Sequence, residues 1–220
     1  MKILFAVASG SRAFNLHTDD SDADVRGVAI PTIYDLSNPY GEKFQGNQYA
    51  SIYGSDAYFY EWSHFLHLLA AQDVNAWIAL MSDRVLFGSS ELLTLRHAAI
   101  YHLLDSERLL ERALGLMHAM VREGFLKDSP KIIANGLKAG VFGTNMCHAI
   151  PKGCDLGMYR DLFFQWKYQK EMPSHDAVEN VIEEIKAETM WLRVDEHIPT
   201  AKDETIGQFY YLYMSFTGLA

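Results

Sequence analysis

A chain of 220 residues, 49% of them hydrophobic, is long enough to bury one sizeable core, or a small domain with a helical extension, without covalent staples. Its net charge of −9 argues against a broad, non-specific grip on nucleic acid, which depends on Lys and Arg displacing counterions from phosphates; such a partner would have to meet a local patch. Cys147 and Cys154 form neither a disulfide framework nor a CxxC metal motif, and the opening MKILFAVASGS is too short for a signal segment. No stretch approaches the roughly 20 apolar residues of a membrane span, so the expectation is a soluble cytoplasmic protein with no membrane partner.

The apolar run Ile3 to Val7 predicts a buried strand, followed by Gly10-Ser11 and a short helix over RAFNL. Asp24 to Ile30 predicts a second strand, with Val25, Gly27 and Ala29 on one face and Arg26, Val28 and Ile30 on the other. Residues 31–54 carry Pro, Gly, Asn and Ser at turn density and read as a long loop, with a short pairing around Ile33 to Leu36. Asp56 to Tyr60 predicts a third strand running into EWSHFLHLLAA, whose Trp62, Phe65, Leu66, Leu68 and Leu69 recur at helical spacing.

From Asn75 onward the pattern is almost entirely helical. One helix is capped at Ser89-Ser90-Glu91, a second runs from Asp105 to a C-cap at Gly124, and a third has Pro130 in its first turn. Met158 to Tyr168 and His175 to Leu192 complete the set, and the aromatic tail Ile206 to Phe216 reads as a closing strand or docked segment. The expected architecture is α+β: a small mixed β-sheet core over residues 1–80 and a mainly helical lobe with the tail over 81–220.

The chemistry concentrates in GSRAFNLHTDDSDADVRG, residues 10–27. Residues i and i+2 of a strand point the same way, so Asp22 and Asp24 present two carboxylates to one space, where a pair of divalent cations relieves their repulsion, as two-metal catalysis of nucleotidyl transfer requires. Mg2+ or Mn2+, a hard ion held by a few carboxylates plus phosphate oxygens, fits that donor set. Gly10 and Ser11, after a strand and before a helix, offer backbone N–H groups and a hydroxyl to phosphate oxygens, with Arg12 as an adjacent cation. A third carboxylate should come from a neighbouring strand: Asp56 is the first choice and Glu61 the fallback.

Other sites have less support. His64 and His67 share a helix face but lack the accompanying spacing of a zinc site, and no GxSxG elbow is present. The basic residues of the two candidate patches, Lys127, Lys131 and Lys138 and then Lys152, Arg160, Lys167 and Lys170, read foremost as solvated helix faces.

Strand, GS, SDAD and second strand in this order resemble the polymerase-β-like nucleotidyltransferase superfamily. More narrowly, GSRAFNLHTDDSDADVRGV is similar to the GSRAYG…SDxDxRGV signature of predicted RNA-repair-associated nucleotidyltransferases of bacteria and large phages. EWSHFLHLLAAQDVNAWIALMS and WKYQKEMPSHDAVENVIEEI also resemble segments of that family. The resemblance implies transfer of a nucleoside monophosphate from an NTP to an acceptor, RNA ends among the candidates. Gly10 and Ser11 would hold the triphosphate, Asp22, Asp24 and Asp56 the metal, and Arg26 would point from the face of Asp24 toward the site. Asn15 stands where the family commonly has glycine, which its tolerance of left-handed backbone allows, and His64 stands in place of a basic residue. A fold retained as a non-catalytic binding or regulatory module is the alternative.

Overall fold

The computed structural model describes residues 2–19, 21–22, 24–30, 47–52, 55–168 and 171–195, with backbone alone at 47–52, 55–56 and 193–195. These residues sort into two units, one of residues 2–13 and 19–104 and one of 14–18 and 105–195. The architecture is α+β.

The first unit is built on a mixed sheet. Strands β1 (Lys2–Ala8) and β2 (Val25–Ile30) pair antiparallel, with Ala6 opposite Gly27 and Val7 opposite Arg26. Strand β3 (Asn47–Ile52) pairs antiparallel with β4 (Ser55–Glu61), and β4 lies parallel to β2. Strand β5 (Val85–Phe87) closes the other edge against β1, giving the order β3-β4-β2-β1-β5. The central strand β2 is buried at every position except Arg26, which is why it reads as a near-continuous apolar run.

Helices α1 (Gly10–Ala13), α2 (Trp62–Ala70), α3 (Val74–Met81) and α4 (Ser89–His102) belong to the same unit. Phe65 of α2 packs edge-on against Phe5, with ring centroids 5.9 Å apart, and lies 5.3 Å from the ring of Tyr60. Asp73 caps α3 by accepting from the Ala76 N–H at 2.9 Å, and Trp77, fully buried, donates its indole N–H to Leu69 O at 3.1 Å. Burying each such large side chain contributes about 1.5–3 kcal/mol.

The second unit contains α5 (Ser106–Leu126), α6 (Pro130–Asn145), a 3-10 turn (Gly157–Tyr159), α7 (Arg160–Tyr168) and α8 (His175–Asp195). Asp105 caps α5 through the Arg108 N–H at 3.0 Å. Thr144 and Thr189 join α6 to α8 hydroxyl to hydroxyl at 3.0 Å, and the Cys147 thiol donates to Ser106 O at 3.7 Å. Neither cysteine is in a disulfide, and both are buried.

Several expectations need correction. Residues 31–54 are not wholly a loop, because β3 pairs along β4 from Asn47 to Ile52; its Asn, Gln and Ser hide a strand whose stability comes from its partner's edge. The proposed pairing at Ile33 to Leu36 and the tail from Ile206 to Phe216 lie outside the described residues. The helical run after Asn75 is interrupted by β5, three residues too short to show a period. Gly124 is not a C-cap. It sits inside α5, where a Cβ would lie 2.9 Å from the Ile133 backbone nitrogen, so its missing side chain lets α6 approach; the left-handed residue after the helix is Asp128, at φ 50°. Lys138, a candidate for a solvated patch, is buried on α6 with its ammonium 5.2 Å from the ring centroid of Phe14. The first unit also runs to Leu104 rather than to residue 80, since β5 hydrogen-bonds to β1 and α4 packs against β1.

Candidate active site

β1 ends at Ala8 and the chain turns at once. The Ser9 N–H donates to Asp24 O at 2.9 Å, closing the intervening residues into a loop whose two ends lie side by side. Gly10 stands at φ 58°, and a Cβ there would collide with the Asp24 carboxylate, 3.4 Å from its Cγ. Only glycine lets the backbone take this turn while Asp24 keeps its place. Asn15, at φ 55°, takes the left-handed geometry expected where the resembled signature has glycine.

Arg12, on α1, reaches back across the loop. Its Nη2 donates to Ser21 O at 3.0 Å and its Nε lies 3.5 Å from Asp22 O, so the guanidinium braces the backbone that carries the first aspartate. Asp22 is exposed and Asp24 half-buried.

The register of the sheet bears on Asp56, the first choice for a third carboxylate. Val25 pairs with Ala57 and Arg26 with Tyr58 on parallel strands, so Asp56 occupies the register position beside Asp24, on a neighbouring strand about 4.8 Å away. Glu61 is committed elsewhere. It is the N-cap of α2, accepting from the Ser63 N–H at 3.0 Å, the His64 N–H at 2.9 Å and the Ser63 hydroxyl.

Arg26 follows Asp24 at strand spacing, and its guanidinium lies 4.9 Å from the ring centroid of Tyr58, which meets Tyr60 edge-on at 4.8 Å. Tyr58 was missed in the sequence, although its signal is there: alternation in DAYFY puts it on the face of Asp56, and pairing with Arg26 then follows from the register.

Asp24 lies against Gly10, with Asp22 two residues earlier and Asp56 at the neighbouring register position; carboxylates are the donor type that a hard divalent cation takes. Among the described side chains, which do not include that of Asp56, no group of three or more His, Cys, Asp or Glu gathers for a metal, and His64 and His67 gain no third partner.

Residues 1–132 match the RNA repair pathway DNA polymerase beta family (RlaP). The chain belongs to this family. Membership agrees with the Gly-Ser turn and aspartate pair, both inside the matched residues, and makes the chain a polymerase-β-like, nucleotidyltransferase-like protein. Among solved structures the chain is similar to a nucleotidyltransferase-like protein from Exiguobacterium sibiricum, at 12% identity and a TM-score of 0.30 over 87% of this chain and 68% of that one. No curated protein matches it. None of the described helices is long and apolar enough to cross a membrane.

Proposed function

We propose that the chain transfers a nucleoside monophosphate from an NTP to an acceptor, with an RNA end as the acceptor class. The observation that carries this reading is the juxtaposition of Asp24, Gly10 and the Asp56 register position at the N-terminal ends of β2 and β4. The family's RNA repair description supports the acceptor class, and the net charge of −9 requires that acceptor to be gripped locally.

Asp22, Asp24 and Asp56 would hold Mg2+ or Mn2+. Such an ion would offset triphosphate charge and polarise the α-phosphate. The chain's own residues supply the rest. Gly10 keeps the backbone low, and the Ser11 hydroxyl and N–H are placed to donate to the triphosphate. Arg12 braces Ser21 and Asp22 and adds positive charge beside the same oxygens. Arg26, held over Tyr58, stands where negative charge grows on the α-phosphate or on the attacking group, so it favours the transition state over the bound substrate.

The direct test of binding is thermal unfolding with each NTP, with and without Mg2+, on the wild type and Ser11→Ala. A metal-dependent rise in melting temperature that Ser11→Ala reduces supports the reading. No rise with any NTP contradicts it.

A further inference from the structure

Ala8 is the last residue of β1, and the turn through Ser9, Gly10 and Ser11 follows it directly. The pairing of β1 with β5 reaches only to Val7, opposite Val85, and beyond that point the chain is held by other means. The Ala8 N–H donates to Arg84 O at 2.8 Å, and the Ala8 carbonyl accepts from the Ser82 hydroxyl at 2.8 Å. Ser82 is wholly buried between the end of α3 and the start of β5, so its side chain supplies the donor that a strand backbone would. The same hydroxyl oxygen accepts from the Arg84 N–H at 3.4 Å.

Arg96 of α4 locks residues 82–84 in turn. Its Nε donates to Leu80 O at 3.0 Å, its Nη2 to Ser82 O at 2.8 Å and its Nη1 to the Asp83 carboxylate at 3.1 Å. The Arg96 side chain is 16% exposed and that of Asp83 88%, so the ion pair adds little and the two carbonyls are what this largely buried fork holds. Satisfying the end of α3 needs only the bond to Leu80 O. The bond to Ser82 O goes further and fixes the residue whose hydroxyl grips Ala8. On its other side the turn is tied by the Ser9 N–H to Asp24 O at 2.9 Å. All of these residues belong to the first unit. Gly10 and the Asp24 carboxylate already stand too close to admit a Cβ, so any shift of Ala8 passes into their spacing.

From this geometry we infer that Ser82, locked by Arg96, is a positioning residue for the triphosphate cradle: it fixes the end of β1 so that Gly10 and Ser11 meet phosphate oxygens beside Asp24. The inference rests on the proposed function, because it assigns the turn a triphosphate to hold.

The test is calorimetric titration of each of the four NTPs, with Mg2+, into the wild type, Ser82→Ala, Arg96→Met and Asp73→Ala at a temperature where all are folded, together with hydrogen exchange of the amides of residues 9–13. Ser82→Ala should raise the NTP dissociation constant about 10-fold, the lower end of what losing a supporting hydrogen bond costs a metal site, and should speed exchange at Gly10 and Ser11. Arg96→Met should act in the same sense. Asp73→Ala removes the N-cap of α3 without touching Ala8, so it should lower the melting temperature and leave the dissociation constant unchanged. If the wild type binds and Ser82→Ala binds undiminished, the positioning role is overturned and the proposed function stands. If Asp73→Ala weakens binding as much as Ser82→Ala, the effect is a loosening of the whole unit and the positioning role is overturned as well. If the wild type binds no NTP, the proposed function falls and the positioning role with it. Should Arg96→Met fail to fold, Ser82→Ala, which removes one hydroxyl, decides alone.

Discussion

The Asp24 carboxylate occupies the space that a side chain at Gly10 would need. Two residues fourteen positions apart thus define one small volume, a positive-φ turn below and an acid beside it. Gly10→Ala should do two separable things. The left-handed backbone should destabilise the fold by about 1–2 kcal/mol, and the new methyl should displace Asp24. Thermal unfolding and Mn2+ titration on the same sample would show both, with metal affinity falling far more than the stability loss explains.

Glu61 and Asp56 should behave as opposites. Glu61→Ala removes the cap of α2 and should lower stability by about 1 kcal/mol while leaving Mn2+ affinity unchanged. Asp56→Asn should leave stability nearly unchanged and abolish tight Mn2+ binding. The reverse pattern would make Glu61 the third carboxylate.

Arg26→Ala should act on rate. A cation placed where charge develops contributes mainly to the transition state, so single-turnover transfer should slow about 100-fold with NTP affinity changed only a few-fold. Tyr58→Leu, which removes the ring under the guanidinium, should slow transfer in the same sense and by less. Lost NTP affinity at an unchanged rate would remove Arg26 from this role.

The backbone that carries the candidate site was legible where its logic is local. Gly10-Ser11 follows the apolar run that forms β1, whereas the aspartates expected on a strand face precede β2, which begins at Val25. Asn15 announced its left-handed backbone by residue type. What stayed hidden depends on partners distant in sequence. The strands at Asn47–Ile52 and Val85–Phe87 exist because β4 and β1 offer them edges. Gly124 looked like a helix stop because sequence cannot distinguish a missing side chain that ends a helix from one that admits a neighbour. Glu61 could have faced either way until its oxygens were found on the N–H groups of α2.

Tyr159, buried and beside Glu184 and Glu188, has its phenol pushed up to about 12, first by burial and then by those two carboxylates. Its unfolded value is 10.0, so below pH 10 the phenol is neutral in both states and stability is undiminished. Between about pH 10 and 12 the unfolded chain loses that proton while the folded chain keeps it, and stability falls as pH rises. Denaturant unfolding of Tyr159→Phe across this range should lack this part of the decline shown by the wild type.

The most direct measurement of the central claim is label transfer. The wild type would be incubated with each α-phosphate-labelled NTP, Mg2+ and RNA acceptors bearing free hydroxyl or phosphate ends, beside Asp24→Asn at equal concentration. The account predicts label on the acceptor with at least one NTP, dependent on Mg2+, and a decrease of more than about 100-fold in Asp24→Asn with its folding unchanged. Equal transfer by Asp24→Asn, or no transfer by the wild type from any NTP to any acceptor, would contradict it.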